Sequence, residues 1–195
     1  TSGMELPFHG QFSRPYQPFA STPFDTTQDK QGKKTILVTG GAGFIGSHLV
    51  NELVKQNQRV VVIDDLSSGK KETLPPEAVF YQADVRDKKV AEIFEKENPS
   101  IVYHFAARPL VQEVYNNPYQ AIETNIMGTV NILEACRKQG NLESIIIASS
   151  DKAYGKSNQL PYTEHHPLKG DHPYDVSKSS ADLIAQTYFS TYGLP

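Results

Sequence analysis

The segment Ile36-Leu37-Val38-Thr39-Gly40-Gly41-Ala42-Gly43-Phe44-Ile45-Gly46-Ser47-His48 runs a short apolar strand directly into a helical pattern through spaced glycines. Gly40 and Gly43 let the backbone turn tightly and approach a phosphate, and Gly46 lets the new helix lie close to the sheet. The first helical residues, Phe44 and Ile45, present amides and the positive end of the helix dipole to an anion. Glycines so spaced also serve a bare strand-to-helix turn, so the context decides. Here the strand Arg59-Val60-Val61-Val62-Ile63 follows one helix later and ends in Asp64-Asp65. An acid about 20 residues beyond the glycines is where a dinucleotide's adenosine ribose is bound.

Asp64 also bears on which dinucleotide. A carboxylate there bonds the 2′-hydroxyl of NAD and repels the 2′-phosphate of NADP, so NAD is the expected cofactor. Lys70 and Lys71 read as a solvated turn after Ser67-Ser68-Gly69. Asp84-Val85 ends a further short apolar strand, where the carboxylate either accepts a bond from the adenine amino group or caps the segment opening at Asp87.

The chain has 195 residues, enough for one good core and hardly two. A net charge of -3 without basic clusters argues against a dedicated nucleic-acid or anionic-membrane surface, and points to small-molecule chemistry. The single cysteine, Cys136, excludes an internal disulfide and lies on the apolar side of a helical pattern. With no apolar run of membrane-spanning length and no secretory signal pattern, a cytoplasmic location is expected. No metal ion is expected.

Residues 1–32 scatter Phe8, Phe12, Phe19 and Phe24 among Pro7, Pro15, Pro18 and Pro23 without a helical or strand period. They read as an extended N-terminal arm or tail, docked or loose. Residues 33–195 read as the NAD-binding domain. Strands near 34–39, 59–64, 78–82, 100–105 and 143–149 alternate with helical stretches near 44–57, 87–97, 118–139 and 174–191. That order predicts an α/β fold, a doubly wound parallel sheet of the Rossmann type, covered on both faces and with its ligand crevice at the strands' carboxyl edge.

Later segments converge on that edge. Ala106 and Ala107, in His104-Phe105-Ala106-Ala107-Arg108, leave room for the nicotinamide-side phosphate and ribose. Ser149-Ser150-Asp151-Lys152 clusters hydroxyls, an acid and an amine after an apolar strand, although a solvated, capped turn would look the same. Tyr174 and Lys178 open a helix four residues apart, on one face. A lysine there lowers the phenol's pKa from about 10 and is free to bond the nicotinamide ribose. Ser150 completes a proton-transfer set around a sugar alcohol.

Together Gly40-x-x-Gly43-x-x-Gly46, Asp64, Asp84, Ala106-Ala107, Asn125, Ser150 and Tyr174-x-x-x-Lys178 resemble the extended short-chain dehydrogenase/reductases, specifically the NAD-dependent nucleotide-sugar epimerases and dehydratases. The resemblance covers residues 34–195. It implies tightly held NAD, Tyr174 as catalytic base, Lys178 as its electrostatic partner and ribose ligand, and Ser150 as the hydroxyl orienting the sugar oxygen. Asn125 is implied as a supporting polar residue, or is simply bonded to nearby backbone. The implied substrate is a nucleoside-diphosphate hexose. The implied assembly is a homodimer through the helices near 118–139 and 174–191, with Ile126, Val130, Ile132, Leu133, Leu183, Ile184 and Tyr188 serving both sheet and partner.

Ser150-Asp151-Lys152 is similar to the Ser-Asp-Lys or Thr-Asp-Lys triplet of CDP-glucose 4,6-dehydratases, which makes 4,6-dehydration the expected reaction, with Asp151 as acid and a neutral Lys152 as base. Asp64-Asp65-Leu66-Ser67-Ser68-Gly69 and Leu160-Pro161-Tyr162-Thr163-Glu164 read equally well as 4-epimerase segments, and 4-epimerisation is the alternative. Members of the resembled family continue into a C-terminal substrate domain that this chain is expected to lack. A non-catalytic NAD-binding module is therefore the alternative of another class.

Overall fold

The computed structural model describes residues 33–109 and 111–195; the expected arm at 1–32 lies outside them. Five strands, β1 (Thr35–Thr39), β2 (Arg59–Asp64), β3 (Val79–Gln82), β4 (Ile101–His104) and β5 (Ser144–Ile147), form one sheet in the order β3-β2-β1-β4-β5, every pair parallel. The sequence reverses direction across the sheet at β1, so the crevice between the β2 and β4 ends opens above the glycine turn.

The alternation of side chains along β1 assigns the two faces. Leu37, Val61, Ile63 and Val102 pack with Val90, Ile93 and Phe94 of helix α2 (Lys89–Glu97) and with Ile132, Leu133 and Cys136 of helix α5 (Gly128–Gln139). Ile36, Val38, Val60 and Val62 face Val50 and Leu53 of helix α1 (Phe44–Lys55). The second face is covered less fully than its apolar composition suggests: α1 reaches β1 and β2, and Ile146 on β5 remains 39% exposed. Cys136 is buried, which pushes its thiol pKa up and keeps it protonated.

Two differences from the expected elements matter for the site. A short helix α3 (Val111–Asn116) precedes α4 (Pro118–Ile122), with the Asn117 side chain accepting from the Gln120 amide and Pro118 opening the helix. The stretch expected as one helix over 118–139 instead widens into a π turn at Glu123–Met127 before α5. Thr129 Oγ1 donates to the Asn125 carbonyl at 2.7 Å, and Gly128 lets the backbone approach Val85, whose Cγ2 would lie 2.6 Å from any added Cβ. The last helix, α6 (Pro173–Tyr192), starts with proline in its first turn and stops at Gly193, which takes a left-handed φ of 65°.

Candidate active site

The glycine turn is built tightly. Gly40 has φ 67°, and a Cβ there would stand 2.7 Å from the Ala106 nitrogen, while one on Gly46 would collide with the Gly40 carbonyl oxygen. Gly43 needs no unusual φ; its neighbourhood is open apart from the Gly40 carbonyl at 3.2 Å. No acid occupies the first turn of α1, so the amides left without intrahelical acceptors face the crevice without a competing charge. A cleft of about 370 Å³ opens there. Gly40, Gly43, Phe44, Ile45, Gly46, Asp64, Asp84, Val85, Ala106 and Ala107 all line it, with Phe44 and Ile45 largely exposed at its mouth.

Asp64 has a structural duty that its sequence position does not reveal. It is buried, Oδ2 accepting from the Ala42 amide at 2.9 Å and Oδ1 from the Leu66 amide at 2.8 Å. These bonds pin the carboxylate between the glycine turn and the β2 end, and each oxygen retains a lone pair for a ribose hydroxyl. Asp84 does not cap α2, whose N-cap is Lys88 without a side-chain bond. It lines the cleft and also organises the turn before α2, accepting from the Arg86 amide at 2.9 Å. The Arg86 guanidinium grips both its oxygens, holds its carboxyl below the usual range, and reaches on to Glu123.

Asn125 lines no part of the cleft but braces it. Its Oδ1 accepts from the Arg108 amide at 2.7 Å, and its Nδ2 donates to Ser177 Oγ at 2.9 Å, which donates to the Tyr174 carbonyl. Behind it lies a polar chain that the sequence alone did not flag. Thr129, having given its proton to the Asn125 carbonyl, accepts from His104 Nε2 at 3.0 Å; His104 Nδ1 then accepts from Thr39 Oγ1 at 2.6 Å, and Thr39 Oγ1 accepts from the Ala106 amide at 3.2 Å. The bonds therefore assign a neutral His104 with its proton on Nε2. Burial, with Lys178 adding to it, depresses its pKa to about 3.

At the β5 end the structure brings Ser150 and Tyr174 together, close enough for the serine to bear on the acidity of the phenol. Lys178 does not lower the phenol's pKa as its spacing suggests. Its buried ammonium donates to the Ala148 carbonyl at 2.9 Å, and burial lowers its pKa. The Tyr174 phenol is held above its ordinary pKa rather than below it. Burial is the main cause, partly opposed by Ser150, with Asp151 and Asp175 adding repulsion and no contribution from Lys178. Asp151 and Lys152 stand in a short 3₁₀ turn, Asp151–Tyr154, with side chains 62% and 57% exposed and 3.8 Å apart. Ser150 caps that turn by accepting from the Lys152 amide.

A family model described as GDP-mannose 4,6 dehydratase matches residues 37–195. The chain belongs to the NAD-dependent extended short-chain dehydrogenase/reductase family of nucleotide-sugar epimerases and dehydratases. It is 39% identical over 150 residues to the UDP-glucose 4-epimerase of Lactobacillus helveticus, spanning 76% of this chain and 45% of that protein. Identity is 33% over 174 residues to the trifunctional UDP-glucose 4,6-dehydratase/3,5-epimerase/reductase of Arabidopsis thaliana, 83% of this chain and 26% of that one. The UDP-glucose 4-epimerase of Thermus thermophilus, solved as its complex with NAD, superposes with a TM-score of 0.77 at 36% identity, covering 82% of this chain and 52% of that one. The chain thus spans about half the length of the 4-epimerases it matches. Among the described residues, no helix is long and apolar enough to cross a membrane.

Proposed function

We propose that the chain binds NAD and forms the cofactor-binding and proton-transfer part of a nucleotide-sugar 4-epimerase acting on a UDP-hexose. The cleft suits the cofactor. A cradle that added Cβ atoms would fill lies beside an acid-free helix start, and a fixed carboxylate, Asp64, stands where a ribose would lie. Gly40, Gly43 and Gly46 would hold the pyrophosphate, Asp64 the adenosine ribose, Asp84 and Val85 the adenine, Ala106 and Ala107 the nicotinamide-side ribose and phosphate, and Lys178 the nicotinamide ribose.

When bound, NAD supplies hydride acceptance and hydride return at C4 of the sugar. Tyr174, in its phenolate form, takes the C4 hydroxyl proton as that carbon is oxidised and gives it back on reduction, with Ser150 holding the sugar oxygen. Asn125 sets where this pair stands by tying the start of α6 to the β4 loop. Inversion follows when the 4-keto sugar offers its other face before reduction.

The exposure of Lys152 carries the choice of epimerisation over the 4,6-dehydration that the triplet suggested. A lysine that removes the C5 proton must be neutral, which takes desolvation or neighbouring positive charge. Lys152 is instead more than half exposed and lies beside a carboxylate. The 4-epimerases among the relatives support the same choice. Lys152→Met is accordingly expected to leave turnover of UDP-glucose by the whole protein within about threefold of the parent, because an exposed pair contributes little. A loss of about a hundredfold or more would restore Lys152 as a proton-transfer group and with it the dehydratase reading.

The partner proposed for this chain is a second copy. Ile132 and Leu133 are buried against the sheet, but Ile122, Met127, Leu183 and Phe189 leave an exposed apolar surface on α4, the π turn and α6. Sedimentation equilibrium is expected to give a dimer, and a monomer at high protein concentration would refute the assembly.

A further inference from the structure

We propose that Arg108 and Asp65 form a clasp across the crevice that retains the dinucleotide, a role resting on the reading of the cleft as an NAD site. Among the described residues lining the cleft, Arg108 is the only cation, facing the carboxylates Asp64, Asp65 and Asp84. Its Nη2 lies 3.3 Å from Asp65 Oδ2, with the two side chains 20% and 31% exposed. Asp65 follows β2 and Arg108 follows β4, and β1 lies between those strands. The pair therefore joins the two walls between which a ligand over the carboxyl end of β1 must lie.

Both partners are fixed independently of each other. The Arg108 amide donates to Asn125 Oδ1 at 2.7 Å, and Asn125 Nδ2 returns a bond to the Arg108 carbonyl at 3.4 Å. Asp65 Oδ1 accepts from the Ser67 amide at 2.9 Å and from its hydroxyl at 2.6 Å, which turns Oδ2 toward Arg108. The Asp65 carboxylate, already anchored, therefore loses little side-chain freedom on pairing, and the Arg108 bonds fix the backbone from which its guanidinium reaches; loss of such freedom is a main reason surface ion pairs contribute little. The other nearby arginine, Arg86, is committed to Asp84 and Glu123. The chemistry gives the clasp a purpose. A hydride returned to the carbon it left requires one cofactor to stay bound through the whole cycle, since its departure midway would strand an oxidised sugar.

The test is the release rate of NADH, followed by its fluorescence in stopped flow, from the full chain and from Asp65→Asn, Arg108→Gln and the double variant. Asn at position 65 keeps the oxygen that accepts from Ser67, so the loop is preserved while the charge is lost. Each single variant is expected to release NADH about fivefold faster, and the double variant no faster than the quicker single. About 1 M salt is expected to speed release from the parent and leave the double variant's rate unchanged. Arg108→Lys, with matching thermal midpoints checked throughout, should fall between parent and Gln because the charge remains without the planar fork. Release within about twofold of the parent in both singles, or additive effects in the double, would overturn the clasp. Failure of the parent chain to bind NADH at all would overturn the cofactor reading itself.

Discussion

Tyr174→Phe is expected to lower turnover of UDP-glucose by the whole protein about a thousandfold, while the affinity for NAD changes by less than about threefold. Tyr174 lies beside Ser150, and its phenol, once ionised, is the group proposed there to take a proton from a sugar alcohol. Burial and the carboxylates of Asp151 and Asp175 hold it in the neutral form, so its ionised fraction grows as pH rises. The parent's rate is therefore expected to climb with pH on the alkaline side, and the Phe variant's residual rate to be flat there. The ring itself is buried and packs with Val114 and Ala121, contacts that Phe preserves, so a folding defect is not expected. A Phe variant with more than about a tenth of the parent rate would remove Tyr174 as the proton-transfer group.

Gly46→Ala is the second large effect. An added methyl would overlap the Gly40 carbonyl oxygen and crowd the Gly41 Cα, both of them backbone and unable to rotate away. The helix start must then back off from the turn, at a cost at the upper end of the roughly 1–3 kcal/mol typical of overpacking. That retreat also pulls the first amides of α1 away from the phosphate position. NAD affinity measured by calorimetry is expected to fall about a hundredfold, with the thermal midpoint down by several degrees. Affinity within about threefold of the parent would show that the turn does not set the phosphate distance. Gly140→Ala serves as the control for glycine loss in general: it has open space around it and lies away from the cleft, and only its left-handed backbone is strained.

The parallel sheet, the glycine turn and the gathering of Ser150, Tyr174 and the cleft residues at one edge could be anticipated because they follow from local patterns: apolar runs, glycine spacing and strand ends. What could not be anticipated depends on contacts between distant segments. Nothing in the apolar period of 118–139 distinguishes a π turn from plain helix; at its end Gly128 meets Val85, a residue from another part of the chain. The Arg108–Asp65 pair joins residues 43 apart in sequence. Lys178 illustrates the limit of spacing as a guide. Four residues put it on the face of Tyr174, yet its ammonium is held by the Ala148 carbonyl, and the phenol's acidity is set by burial. The triplet after β5 shows the same limit of residue types as a guide. Ser-Asp-Lys specifies residue types, whereas the chemistry depends on whether Lys152 is desolvated, and it is not.

The reaction itself gives the most direct test of 4-epimerisation. UDP-glucose incubated with the whole protein and NAD, with the products separated and analysed by mass spectrometry and by the configuration at C4, is predicted to yield an isomer of unchanged mass inverted at that carbon. A product lighter by one water, carrying a 4-keto-6-deoxy sugar, would contradict the account.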